Sequence, residues 1–221
     1  MTVDIGLLKI IPYFAGLKDD ELEKIKKLIF EKAAEKGDTI VREGEPAEVL
    51  YFVADGVVKI FKTSAEGKEQ ILTLVRPGES FNDVPVFEGV SLASAQAMMP
   101  ATLYGLRKSD FHSILTDYPQ LALNAIQVMA KRVELLIALV EDLSFRQVTG
   151  RVARILYDYA RGQDEDRPRL TQQEMAAMAG TAREMVGRSL RILEEEGTIR
   201  LERNRIVIAN EAALKKEAGI A

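Results

Sequence analysis

The period of the hydrophobic pattern changes twice along the chain. In "LKDDELEKIKKLIFEKAAEKG", residues 17–37, acidic residues open the run, apolar ones recur at Leu22, Ile25 and Leu28/Ile29, and Gly37 closes it. Steps of three and four place one face of a helix on a core, so this stretch predicts one amphipathic helix opening the chain. From Asp38 onward, β-branched and aromatic pairs are separated by Gly44, Gly56, Gly67 and Gly78. A spacing of about 11 residues is the rhythm of short strands joined by turns, which predicts a β-roll from about residue 38 to 107. Ahead of both, "MTVDIGLLKIIPYF" has no basic leader and no small-residue cleavage pattern, and reads as folded structure rather than a signal peptide.

Helical signals return at Lys108. "KSDFHSILTDYP" predicts a short helix ending near Pro119, and "PQLALNAIQVMAKRVELLIALVEDLSF" a long one with Pro119 at its N-terminus, where a missing amide costs nothing. Ile126, Met129, Val133, Leu136, Val140 and Leu143 run along it in steps of three and four. Such a seam suits a coiled-coil contact between two copies or, alternatively, the core of a single chain. Leu135, Ile137 and Leu139 widen the apolar surface, as a helix facing both its own roll and a partner requires. Phe145 to Gln147 is the candidate hinge, after which "VTGRVARILYDYA" restarts a helix leading into a charged, proline-containing loop.

The next stretch, "LTQQEMAAMAGTAREMVGRSLRILEEEG", holds two Thr-x-x-Glu patterns, Thr171 with Glu174 and Thr181 with Glu184. Each reads as a capping box, so two short helices lie nearly end to start. Gly180 between them permits a tight turn and Ala176 a close approach, which is helix-turn-helix spacing. On the second helix Val186, Leu190 and Leu193 form the predicted buried face, leaving Arg183, Glu184, Gly187, Arg188 and Arg191 on the other. An α-helix fits the DNA major groove, arginine bonds guanine O6 and N7, and glutamate accepts from cytosine N4. Gly187 would remove bulk where the helix presses deepest. A solvated surface face is the plainer reading of the stripe, and a capping role the plainer one for Glu184. "EEEGTIRLERNRIVIAN" adds two strands around Arg203 and Arg205, a basic wing that favours the DNA-reading interpretation.

Composition narrows the chemistry. Without cysteine there are no disulfides, thiolate metal sites or cysteine-held iron–sulfur clusters, and a single histidine, His112, cannot build the multi-histidine metal site of a cupin-like enzyme. No phosphate-cradling glycine loop or Ser/His/Asp set emerges, so no enzymatic activity is expected. No apolar run approaches the roughly 18 to 20 residues that span a bilayer, and a cytoplasmic location is expected. The net charge of −4 is unevenly spread, because residues 145–221 hold 14 Lys and Arg against 12 Asp and Glu.

These segments resemble the Crp/Fnr family of bacterial transcription regulators over nearly the whole chain. "RPGESFNDVPVFEG" is similar to the family's ligand-cassette stretch, "FRQVTGRVARIL" to its hinge and first DNA-domain helix, and residues 170–197 to its helix-turn-helix. The resemblance implies an α+β fold: a cyclic-nucleotide-binding-like β jelly roll at 1–118, a dimerisation helix at 119–144 and a winged helix-turn-helix at 145–221. It implies a homodimer on double-stranded DNA, with RNA polymerase as a further partner and TGTGA-like half-sites. Arg183, Glu184 and Arg188 fall on the family's base-reading positions, with Gly187 beside them. Thr149, Gln172, Gln173 and Thr181 fall near backbone contacts, and Ser189 departs from the usual aliphatic residue.

In the ligand cassette the resemblance places Asp83 at the acidic residue that holds a cyclic nucleotide's ribose. Ala93 stands at the phosphate-pairing arginine, Ser94 at the serine after it, and Leu136 with Ile137 where hydroxyl residues touch adenine. A cyclic phosphate without its arginine is an uncompensated charge, so cyclic AMP is not the expected effector. Asp83, Val84, Val86, Phe87, Ser94, Leu136, Ile137 and Leu139 are the expected effector pocket. It suits an apolar organic molecule, or haem sensing nitric oxide or carbon monoxide on His112, Met98 or Met99; action without any effector is a further alternative. A ligand-binding module whose helical end binds protein instead of DNA is the competing function.

Overall fold

A computed structural model describes residues 3–160, 170–202 and 205–220. By internal contacts it divides into two units, residues 1–62 with 72–135, and residues 63–71 with 136–221. The boundary falls within the long helix.

The first unit opens with α1 (Ile5–Ile10), a 3-10 turn (Pro12–Phe14) and α2 (Asp19–Lys26). At the start of α2, Glu21 accepts from the Lys18 amide at 2.7 Å, tying down a donor that the helix itself leaves free. The predicted opening helix is therefore half right. It stops at Lys26, and Ile29–Ala34 forms strand β1, paired antiparallel with β8 (Ala101–Arg107) from Ile29↔Leu106 to Ala34↔Ala101. "EKAAEK" is built of helix formers, but the open edge of β8 offers a ladder of backbone bonds, and tertiary context outweighs a propensity difference of tenths of a kcal/mol per residue.

The remaining strands are β2 (Thr39–Val41), β3 (Val49–Asp55), β4 (Val58–Thr63), β5 (Glu69–Val75), β6 (Ser80–Phe81) and β7 (Ser94–Ala97). They form two four-stranded sheets, ordered β1-β8-β3-β6 and β2-β7-β4-β5. All four turn glycines of the sequence rhythm have positive φ, between 79° and 86°. Strand β3 is buried on both faces, which is why "VLYFV" is apolar without a break. Tyr51 and Val53 join Val58, Val75, Phe81 and Leu103 inside the roll. Leu50 and Phe52 point the other way, into a second core with Leu8, Tyr13, Phe14, Leu22, Phe111 and Leu121. Between β6 and β7 lies a short helix, α3 (Asp83–Glu88), where the sequence reading had only strands.

After β8 come α4 (Lys108–Asp117) and α5 (Pro119–Phe145). Asn124 anchors α5 to the opening segment by donating to the carbonyls of Tyr13 (2.9 Å) and Ala15 (2.8 Å).

In the second unit, α6 (Val148–Ala160), α7 (Gln172–Ala179), α8 (Arg183–Glu195) and α9 (Glu211–Glu217) enclose one core with the hairpin β9 (Ile199–Glu202) and β10 (Arg205–Ile208). Val152, Leu156, Met175, Ala176, Val186, Leu190, Leu193 and Leu214 fill it. The three α8 positions expected to face inward do so. The charged loop expected after α6, residues 161–169, lies outside the described residues.

Candidate nucleic-acid interface

Helix α7 begins with a complete capping box. The Thr171 hydroxyl accepts from the Glu174 amide (3.1 Å) and the Glu174 carboxylate accepts from the Thr171 amide (2.7 Å). It ends at Gly180 in the left-handed conformation (φ 61°), whose amide donates to the Ala176 carbonyl. The Thr181 amide closes onto the same carbonyl at 3.0 Å.

That closure corrects the second predicted box. Thr181 completes the end of α7, the N-cap of α8 is Ala182 with no side-chain cap bond, and Glu184 becomes the second residue of the helix rather than the third. The capping role weighed for Glu184 is removed. The side chains of Arg183, Glu184, Arg188 and Arg191 are all exposed, and none makes a hydrogen bond or ion pair among the described residues. Val186, Leu190 and Leu193 hold the opposite face of α8 in the core, so the charged stripe is fixed in direction. A Cβ at Gly187 would meet only Gln172 Oε1 of α7, at an ordinary contact distance of 3.9 Å, so packing within this chain does not require a glycine there.

Gln172 and Gln173 are exposed at the α7 N-terminus, beside Thr171. Thr149 is half-buried, and its hydroxyl bonds the hydroxyl of buried Ser189 at 3.2 Å. Ser189 thus gains a polar partner where an aliphatic residue would only pack. Of the wing arginines, Arg205 pairs with Glu202 at 2.6 Å, and Arg203 lies outside the described residues.

The expected effector residues are less uniformly placed. Asp83 is 1% exposed, and its Oδ2 meets Arg132 Nη2 (2.8 Å), Tyr13 Oη (3.0 Å) and Ser80 Oγ (3.2 Å). Burial first, and then the charge of Asp83, raise the Tyr13 phenol well above its ordinary value, so it stays a proton donor. Arg132 also reaches the Ser80 carbonyl, while its Nε is buried without a partner among the described residues. The sequence reading missed Arg132. The signal was available, since a carboxylate within "FNDVPVF" needs a cation and Lys131 and Arg132 are the only basic residues on α5.

Val86 is fully buried, in the core cluster that includes Leu50, Phe52 and Phe111. Val84 and Phe87 are exposed, and the Ser94 hydroxyl accepts from the Glu43 amide at 3.1 Å. Leu136, Ile137 and Leu139 belong to the second unit. His112 stacks on Phe87 with ring centroids 5.7 Å apart. It borders an open depression of about 660 Å³ with Phe30, Val49, Arg107 and Lys108, whose lining includes neither Met98 nor Met99.

Along α5 the seam is exposed. Ile126, Val133, Leu136, Val140 and Leu143 are 65, 55, 50, 63 and 39% exposed. Among the described residues, no core of this chain covers them.

Residues 31–118 match the Cyclic nucleotide-binding domain, and residues 150–217 the Crp-like helix-turn-helix domain. The chain is 33% identical to the Cyclic AMP receptor protein of Thermus thermophilus over 207 residues, 93% of this chain and 95% of that one. It is 29% identical over 213 residues to a CRP-like cAMP-activated global transcriptional regulator of Mycobacterium tuberculosis, covering 93% of this chain and 95% of that one. A solved CRP/FNR-family transcriptional regulator, also from Thermus thermophilus, superposes with a TM-score of 0.74 at 25% identity, covering 86% of this chain and 98% of that one.

A sensor roll followed by a winged helix-turn-helix with a free cationic stripe defines a DNA-binding transcription regulator rather than an enzyme. With relatives this similar along nearly its whole length, the chain belongs to the Crp/Fnr family.

Proposed function

We propose that this regulator acts as a homodimer on a two-fold operator with TGTGA-like half-sites whose centres lie about one helical turn apart. The observation that carries the reading is the α8 stripe. Arg183, Glu184 and Arg188 stand exposed, with no partner among the described residues, on a helix whose other face is locked in the core. The exposed seam of α5 supports the dimer, since an apolar face of this length is stable in water only when covered. Bound to DNA in this way, the protein would act on RNA polymerase in the cytoplasm.

The effector is a molecule other than cyclic AMP. Its cyclic phosphate would face Ala93, which carries no charge, while cations at the strands flanking that position, Lys62 and Arg42, are paired with Glu43 and Glu45, and Arg132 is matched by Asp83. The neighbouring Ser94 hydroxyl is engaged with Glu43.

Fluorescence anisotropy of the full chain on an inverted TGTGA duplex tests the operator. Specific binding about 10³-fold or more tighter than to a scrambled duplex is expected, with an affinity that falls steeply as salt rises. Equal affinity for both duplexes would reject it. Titration calorimetry with cyclic AMP tests the effector, and micromolar binding would reject that part alone.

A further inference from the structure

Three helix ends meet near the junction of α5 and α6, all within the second unit, and arginines hold them together. The last carbonyls of a helix have no partner in the helix and carry its negative dipole end, so a cationic fork is well suited to them. Arg146, in the two-residue break after α5, reaches the carbonyls of Ala218 and Gly219 at the end of α9. Its Nε bonds Asp142, one turn back on α5, at 2.6 Å. Arg154 of α6 joins the same carboxylate oxygen at 3.2 Å. Arg151 of α6 bonds the Arg146 carbonyl (2.6 Å) and the Ala179 carbonyl (2.7 Å), next to the turn that leads into α8.

Two further observations separate this cluster from ordinary surface ion pairs. The side chains of Asp142, Arg146 and Arg154 are only 17, 21 and 31% exposed. Gly219 has φ 60°, and a Cβ there would collide with the Arg146 guanidinium, so the α9 end is shaped around that side chain.

We propose that Asp142, Arg146 and Arg154 form a clasp that fixes the angle between the end of α5 and the DNA-reading fold, and so sets which half-site separation the dimer accepts. These are positioning residues, and the inference rests on the dimeric operator reading above. Adding one base pair between half-sites moves one of them by about 3.4 Å along the axis and turns it by roughly 35°. A fixed angle rejects that change, and a loosened one follows it.

The test is selection of binding sites from a random duplex pool by the full-length wild type, Arg146→Gln, Asp142→Asn and Arg146→Lys, each checked for a cooperative thermal transition. Wild type is expected to enrich inverted half-sites at one separation. On defined duplexes its affinity should drop about tenfold for a one-base-pair change, comparable to a mismatch. Arg146→Gln and Asp142→Asn should keep the same half-site sequence but accept several separations within about threefold of one another, and Arg146→Lys, which keeps the charge without the fork, should fall between. Folded variants that retain the wild-type separation preference would overturn the clasp, as would a changed half-site sequence, which would mean that the cluster acts on α8 itself. Failure of the wild type to enrich paired half-sites would instead reject the operator reading and remove the clasp's function with it. If Arg146→Gln does not fold, the Asp142→Asn and Arg146→Lys results decide.

Discussion

Charged side chains sit in two opposite circumstances in this molecule. The carboxylate of Asp83 is buried, and Arg132, Tyr13 and Ser80 already surround it. The arginines of α8 stand in water with no partner among the described residues. Burying a charge is costly unless it is neutralised nearby, so the first arrangement is constrained by the chain's own stability. Exposed arginines contribute little to stability and remain available to phosphates and base edges. The difference separates residues that hold the roll together from residues left free to meet a partner.

Substitutions should divide along that line. Asp83→Ala would strand a cation against the roll and should destabilise the protein by about 3 kcal/mol, toward the low end for a broken buried pair because Arg132 keeps some solvent contact. Urea unfolding reads this directly, and an unchanged midpoint would show that water replaces the carboxylate at no cost. Arg188→Ala should leave the urea midpoint in place while weakening discrimination at one base position by about 1 to 3 kcal/mol in a set of single-substitution duplexes. A loss spread evenly over all positions would make Arg188 a backbone contact instead.

The paired threonines sharpen the contrast within the helix-turn-helix. Thr171→Ala removes a complete capping box and should cost about 1 kcal/mol. Thr181→Ala removes no cap and should shift stability by less than about 0.5 kcal/mol. Equal effects would mean that Thr181 caps α8 in solution.

Much of this was legible in the residues. The β-roll rhythm, the long helix, the break after Phe145 and the buried face of α8 follow from periodicity and turn chemistry, which are local. What was not legible depended on distant partners. Ile29–Ala34 reads as helix until the edge of β8, some seventy residues away, is available to pair with it. Thr181–Glu184 matches a capping box as text, but the turn at Gly180 takes up the Thr181 amide and moves the start of α8 to Arg183. The short helix α3 was not legible either, and it carries Val86 into the core cluster that includes Phe52 and Phe111. Arg146 was missed for the same reason, since the carbonyls it reaches lie more than seventy residues away at the end of α9.

The exposed stripe of α8 carries the proposed reading of DNA. The most direct measurement is the affinity of the Arg183→Ala/Arg188→Ala double variant for an operator selected by the wild type, taken beside its thermal midpoint. A drop to the level of a scrambled duplex at an unchanged midpoint is the expected result. Wild-type affinity and sequence preference in a folded double variant would contradict it.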